Sequence, residues 1–112
     1  MIGVRNFHPK GEKMAWTNFF VEKLPNAKLV VNPEGLPFIS MRIDKNEFIA
    51  IEMEIDNDSC PFSIYYRHFD ELGNILEERR YGKAGTRELA RDLALKVANL
   101  RLNSKELVLD GE

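Results

Sequence analysis

Hydrophobic residues recur along this chain with two different periods, and the switches between them divide it into helix, sheet and helix. From Gly11 to Leu24 the spacing is three and four: Trp16, Phe19, Phe20 and Leu24 fall on one face, with Glu12, Lys13, Glu22 and Lys23 largely elsewhere. Pro25 stops that helix, because the residue before a proline resists the helical region. The period then drops to two. Ala27 to Val31 is short and apolar, Phe38 to Asp44 turns Ile39, Met41 and Ile43 to one side, and Glu47 to Asp56 does the same with Ile49, Ile51, Met53 and Ile55. Phe62 to Phe69 is aromatic and β-branched, and Ile75 to Tyr81 returns as a further strand.

The connections agree with this division. Asn32-Pro33-Glu34-Gly35 reads as a type II turn, Asp44-Lys45-Asn46 as a tight hairpin, and Asp70-Glu71-Leu72-Gly73-Asn74 as the next turn. Asp56 to Pro61 is a longer polar loop. Gly85 or Thr86 caps a second helix from Arg87 to about Leu102. Its predicted core face is Leu89, Leu93, Val97 and Leu100, with Ala90 and Ala94 beside them and Arg87, Arg91 and Lys96 in water. Glu106 to Leu109 reads as a short edge strand, and Met1 to Lys10 as an extended lead-in. The predicted fold class is α+β, a single domain over residues 1–112. An antiparallel four- to five-stranded meander carries the N-terminal and C-terminal helices on one face. Alternation leaves Arg42, Glu52, Glu54, Arg67 and Arg79 on the other, open face.

Composition changes this picture little. A chain of 112 residues with 44% hydrophobic and 30% charged residues can bury one core without staples. Cys60 is the only cysteine, so no intrachain disulfide or cysteine-built zinc site exists, and a reducing, cytoplasmic setting is the natural expectation. No secretory signal and no membrane span is read from the sequence. Charge matters through its distribution rather than its total of −2. Asp44 to Asp58 holds six acids against Lys45, while Arg79 to Arg101 holds seven bases against Glu88 and Asp92. Such blocks either neutralise each other across the fold or form opposed faces, one of which meets a partner.

Candidate chemistry is sparse. His8 and His68 are sixty residues apart and form no ligand-spaced cluster. The calcium-like start Asp56-Asn57-Asp58 lacks its glycine and glutamate, since Pro61 and Arg67 stand at those positions. Cys60 has no basic activator nearby in sequence, and no serine occupies a nucleophile elbow. Gly82-Lys83-Ala84-Gly85 is too short for a phosphate-binding Walker loop; it matches the Gly-x-x-Gly of KH domains, but a strand precedes it where those domains place a helix. The reading is therefore no catalytic residues, no metal and no cofactor.

Two resemblances add alternatives. The acidic hairpin is similar to the restriction-endonuclease-like core, which implies Asp44 and Glu52 as metal-binding acids; Glu54 stands where that family has lysine. Phe62 to Leu100 resembles the three-stranded-sheet-plus-helix DNA-binding domains found at the amino-terminal end of phage integrases, carried by Arg79-Arg80-Tyr81-Gly82 and Thr86-Arg87-Glu88-Leu89-Ala90. That likeness implies base or phosphate contacts from Tyr65, Arg67, Arg79 and Arg80, while Glu52 and Glu54 on the preceding strand would repel phosphate. The leading expectation is a non-catalytic binding or regulatory module that contacts a protein or another copy of itself. The alternatives are a nucleic-acid-binding module using the basic strand-turn-helix from Arg79 to Arg91, and a nuclease-like relative, active or inactive, with an acidic strand. For a protein or a nucleic-acid partner, the candidate contact residues are Arg67, Arg79, Arg80, Lys83, Arg87 and Arg91.

Overall fold

The computed structural model describes residues 16–54 and 59–110, with side chains to residue 103. The lead-in with His8, the start of the first helix, Ile55 and the Asp56-Asn57-Asp58 segment lie outside the described residues. Residues 16–23 are helical (α1). Strands β1 (Ala27–Val31), β2 (Pro37–Asp44), β3 (Glu47–Met53), β4 (Phe62–Phe69) and β5 (Ile75–Ala84) follow, and then α2 (Arg87–Asp110). The five strands form one antiparallel sheet in the order β1-β2-β3-β4-β5, with both helices on one face.

Cross-strand register explains how the core is assembled. Leu29, Ile39, Ile51, Ile64 and Gly82 stand opposite one another across all five strands, and Ala27, Met41, Ile49, Tyr66 and Arg79 form the next row. Ile39, Met41, Ile49, Ile51, Ile64 and Tyr66 are each at most 1% exposed beneath the helices. Helix α1 docks through aromatic rings: Phe20 lies 5.8 Å from Trp16 and 5.7 Å from Phe62, centroid to centroid. Edge-to-face contacts of this kind add to what burial alone contributes. The aromatic stripe of α1 thus faces inward, leaving Phe19 as its partly buried member.

Helix α2 keeps part of its predicted face, with Val97 buried and Leu93 packed against the core, and departs from the rest. Ala90, Ala94, Val97 and Ala98 are buried, whereas Leu89 and Leu100 are 57% and 56% exposed. Both stripes have helical spacing. Phe62 and Tyr66 share one core with these alanines, whose small side chains let the helix approach the bulky sheet closely. The helix also runs 24 residues, through the segment read as an edge strand, because no glycine or proline interrupts it before Gly111. Thr86 is the N-cap: its hydroxyl accepts the Leu89 amide at 3.1 Å.

The Asn32–Gly35 turn is type I and not type II. Asn32 accepts the Gly35 amide at 2.9 Å, and the left-handed residue is Gly35 (φ 86°), one position later than a type II turn requires. The β4–β5 loop repeats this plan with Asp70, which accepts the Gly73 amide at 3.1 Å, and Gly73 at φ 89°. Asp70 Oδ1 also accepts the Asn74 and Leu72 amides at 2.8 and 2.9 Å. These bonds, that from Asn74 foremost, hold its carboxyl below the usual range.

Gly85 is required for space. A Cβ there would sit 2.7 Å from the Ser59 carbonyl oxygen. Gly85→Ala is expected to cost about 1–3 kcal/mol by overpacking, read as a lower urea midpoint; an unchanged midpoint would show that the 59–60 segment yields freely.

The uncovered face of the sheet as a candidate binding site

Alternation sends the second set of strand side chains to the face that no helix covers. Arg42, Phe48, Arg67 and Glu78 form one row across β2 to β5, and Lys28, Ser40, Ala50, Tyr65 and Arg80 form the next. Beyond them, Glu52, Ser63 and Lys83 stand opposite one another. Phe38, Phe48, Tyr65 and Phe69 are all partly buried, and the Phe48 and Phe69 rings meet edge to face at 5.7 Å. Ala50 is only 1% exposed on this helix-free side, so the side chains of the face cover their own backbone.

Arg67 organises the centre. Its Nη2 donates to Glu52 at 2.7 Å and its Nε to Glu78 at 2.5 Å, which ties β4 to both neighbouring strands. The guanidinium lies 5.0 Å from the Tyr65 ring centroid and 5.5 Å from that of Phe38. With its side chain 15% exposed, burial by itself lowers the Arg67 pKa; the hydrogen bonds and charges of Glu52 and Glu78 outweigh that and raise it. The cation is therefore held in one place and permanently charged. Toward the β3–β4 loop, Glu54 accepts from Lys83 at 3.0 Å and from Ser63 at 2.9 Å.

This geometry bears on the acids read as metal-binding. Glu52 is engaged by Arg67, and Glu54 by Lys83 and Ser63. Asp44 pairs with Glu47 at the other end of β3, five residues from Glu52, roughly 17 Å along an extended strand. Asp44 and Glu52 are not brought to one point. Among the described residues no group of three or more His, Cys, Asp or Glu side chains gathers as a metal site.

The six candidate contact residues divide between faces. Arg67, Arg80 and Lys83 lie on the uncovered side with Tyr65. Arg79, expected there, stands opposite Tyr66 on the helix side, and its guanidinium lies 5.7 Å from the Tyr81 ring centroid. Tyr81 is the extra residue of a β-bulge between the Ile64–Gly82 and Tyr65–Arg80 pairs, so counting back from the strand's end gives the wrong parity. Arg87 and Arg91 lie over the Phe19 ring at 5.0 and 5.9 Å, where α2 meets α1. Arg91 also pairs with Asp92 at 3.0 Å.

Sequence reasoning named Tyr65 among the contacts of this face but passed over its phenylalanines. Phe38 and Phe48 occupy the alternate positions of β2 and β3, so period two alone would have found them. It also passed over a buried polar cluster on the helix side. There the Tyr66 hydroxyl donates to Glu47 at 2.6 Å, and Arg101 of α2 lies 4.0 Å from the Tyr66 ring centroid. Arg101 donates to the Tyr81 hydroxyl at 3.3 Å and lies 3.7 Å from Glu77. Burial first, and the Glu47 hydrogen bond second, push the Tyr66 pKa up to about 12. These groups come from β3, β4, β5 and α2, and no local sequence pattern joins them.

Against protein-family models, curated proteins and solved structures, the chain matches nothing. No described helix is long and apolar enough to cross a membrane.

Proposed function

We propose that this chain is a non-catalytic protein-binding module whose contact surface is the uncovered face of the sheet. One observation carries the reading: Phe38, Phe48 and Tyr65 surround an arginine already clamped by Glu52 and Glu78. Aromatic residues and arginine are enriched where proteins meet, and groups held in place before contact lose little freedom on binding. A sequence whose single cysteine is Cys60 forms no disulfide within itself, which fits a reducing compartment such as the cytoplasm. Nucleic acid is disfavoured as the partner by Glu52, Glu54 and Glu78, which lie among the bases of this face.

Affinity capture tests this. A captured protein lost on Tyr65→Ser with Phe48→Ser, and kept on Arg87→Glu with Arg91→Glu, is the expected result. The opposite pattern would move the contact to the helices. Retardation of a DNA or RNA probe that weakens steeply with added salt would replace a protein partner with a polyanion.

A further inference from the structure

The two edges of the sheet differ. Strand β5 carries Glu77, Glu78, Arg79 and Arg80 in succession and two register shifts, features that discourage further pairing. Strand β1, Ala27-Lys28-Leu29-Val30-Val31, has one charge and an unbroken register with β2, and its outer edge pairs with no described strand. On the helix side its Leu29 and Val31 are 40% and 54% exposed. On the other side Lys28 lines a groove of about 620 Å³ with Arg42, Lys45, Ser40, Asn26 and Phe48. Among the described residues Asp44 is the one carboxylate lining that groove, and it accepts the Lys45 amide at 2.7 Å. Lys45 itself lies 3.6 Å from Glu71 with both side chains largely in water, a contact that does little to hold it back from a ligand. Asn26 has a left-handed backbone (φ 58°) and its carbonyl accepts the Arg42 amide at 3.3 Å, which fixes the end of the groove beside β1.

We infer that β1 receives an extended peptide of alternating acidic and apolar residues as a sixth strand. Side chains of an added strand alternate as those of β1 do. One set then meets Leu29 and Val31, and the other meets Lys28 and Arg42. Main-chain hydrogen bonds to the outer edge of β1 supply affinity, and the two unlike sides supply specificity. Three cations against one carboxylate select acids for the groove side. This inference rests on reading the uncovered face as a protein-binding surface, since the groove opens on that face.

The probe is a fluorescent ten-residue peptide of alternating glutamate and valine, followed by anisotropy together with amide hydrogen exchange of residues 27–31. Binding with slowed exchange of outward β1 amides is the expected result. Lys28→Glu combined with Arg42→Glu should weaken it about tenfold or more, on the scale of one well-made charge contact. Both positions are exposed, so thermal unfolding checks that the variant is folded. A peptide N-methylated at alternate amides should lose binding without any change to the protein. Equal binding of a lysine-for-glutamate peptide, or unchanged β1 exchange, overturns the inference. So does a dimer by light scattering whose β1 amides are already protected, since a second copy would then hold the edge. Failure of the peptide with capture still dependent on Tyr65 removes only the β1 inference; capture indifferent to Tyr65 removes the reading beneath it.

Discussion

Phe20→Ala is expected to remove about 3–5 kcal/mol of stability, the usual cost of truncating a buried aromatic ring. Phe20 is wholly buried, and its ring meets those of Trp16, Phe19 and Phe62 at 5.2–5.8 Å. Of these, Phe62 belongs to the sheet, so the lost ring is the centre of the contact that docks α1. Trp16 and Phe62 cannot close the gap without moving the helix, and the loss therefore includes a cavity. A domain of this size has a total stability on the order of 5–15 kcal/mol, so the variant sits near the edge of folding. Its unfolding midpoint should drop by roughly 10–20 °C. Val21→Ala, on the exposed side of the same helix, is the control and should change little. A loss below about 1 kcal/mol for Phe20→Ala would mean that α1 contributes little to the fold.

Tyr66→Phe has the second largest expected effect, and it depends on pH. At neutral pH the variant leaves the buried Glu47 carboxylate without its 2.6 Å donor, at a cost of about 2–3 kcal/mol. In the wild type the Tyr66 pKa rises from 10.0 to about 12 on folding. A raised folded pKa gives stability that is complete below the unfolded value and lost as pH climbs through the folded one. The wild type should thus lose about 2–3 kcal/mol between pH 10 and pH 12, at about 1.4 kcal/mol for each pH decade. Phenylalanine carries no such proton. Urea unfolding of both proteins at pH 8, 10 and 11.5 checks this: the gap between them should be constant up to pH 10 and narrow above it. A gap that stays the same to pH 11.5 would show that the hydroxyl does not titrate with folding.

Much of the architecture was legible because it follows from local periods. Ile39 and Met41, or Ile49 and Ile51, point the same way in any extended strand, so the helix-side core of β2 and β3 could be read directly. The open side was only half read: Arg42, Glu52, Glu54 and Arg67 lie there as expected, but Phe38 and Phe48 were passed over. Size misled on part of α2, where leucines at 89 and 100 looked like core, while the alanines at 90 and 94, read as lying beside it, are fully buried with Val97. Helical spacing admits both stripes; only the bulk of the opposing sheet chooses between them. Parity misled on β5, where one bulged residue, Tyr81, separates two alternations and puts Arg79 on the helix side.

By itself the amino-acid sequence determined the order of elements up to the start of α2, the antiparallel meander and which face of each central strand turns inward. These depend on a residue's neighbours two to four positions away. Tertiary structure alone decided that Arg67 holds Glu52 and Glu78, that Tyr66 reaches Glu47 beneath Arg101, and that Lys28 shares a groove with Arg42 and Lys45. Those partners lie on different strands and helices, and their meeting depends on strand register and on how helix and sheet fill the same space. A period along the chain contains neither.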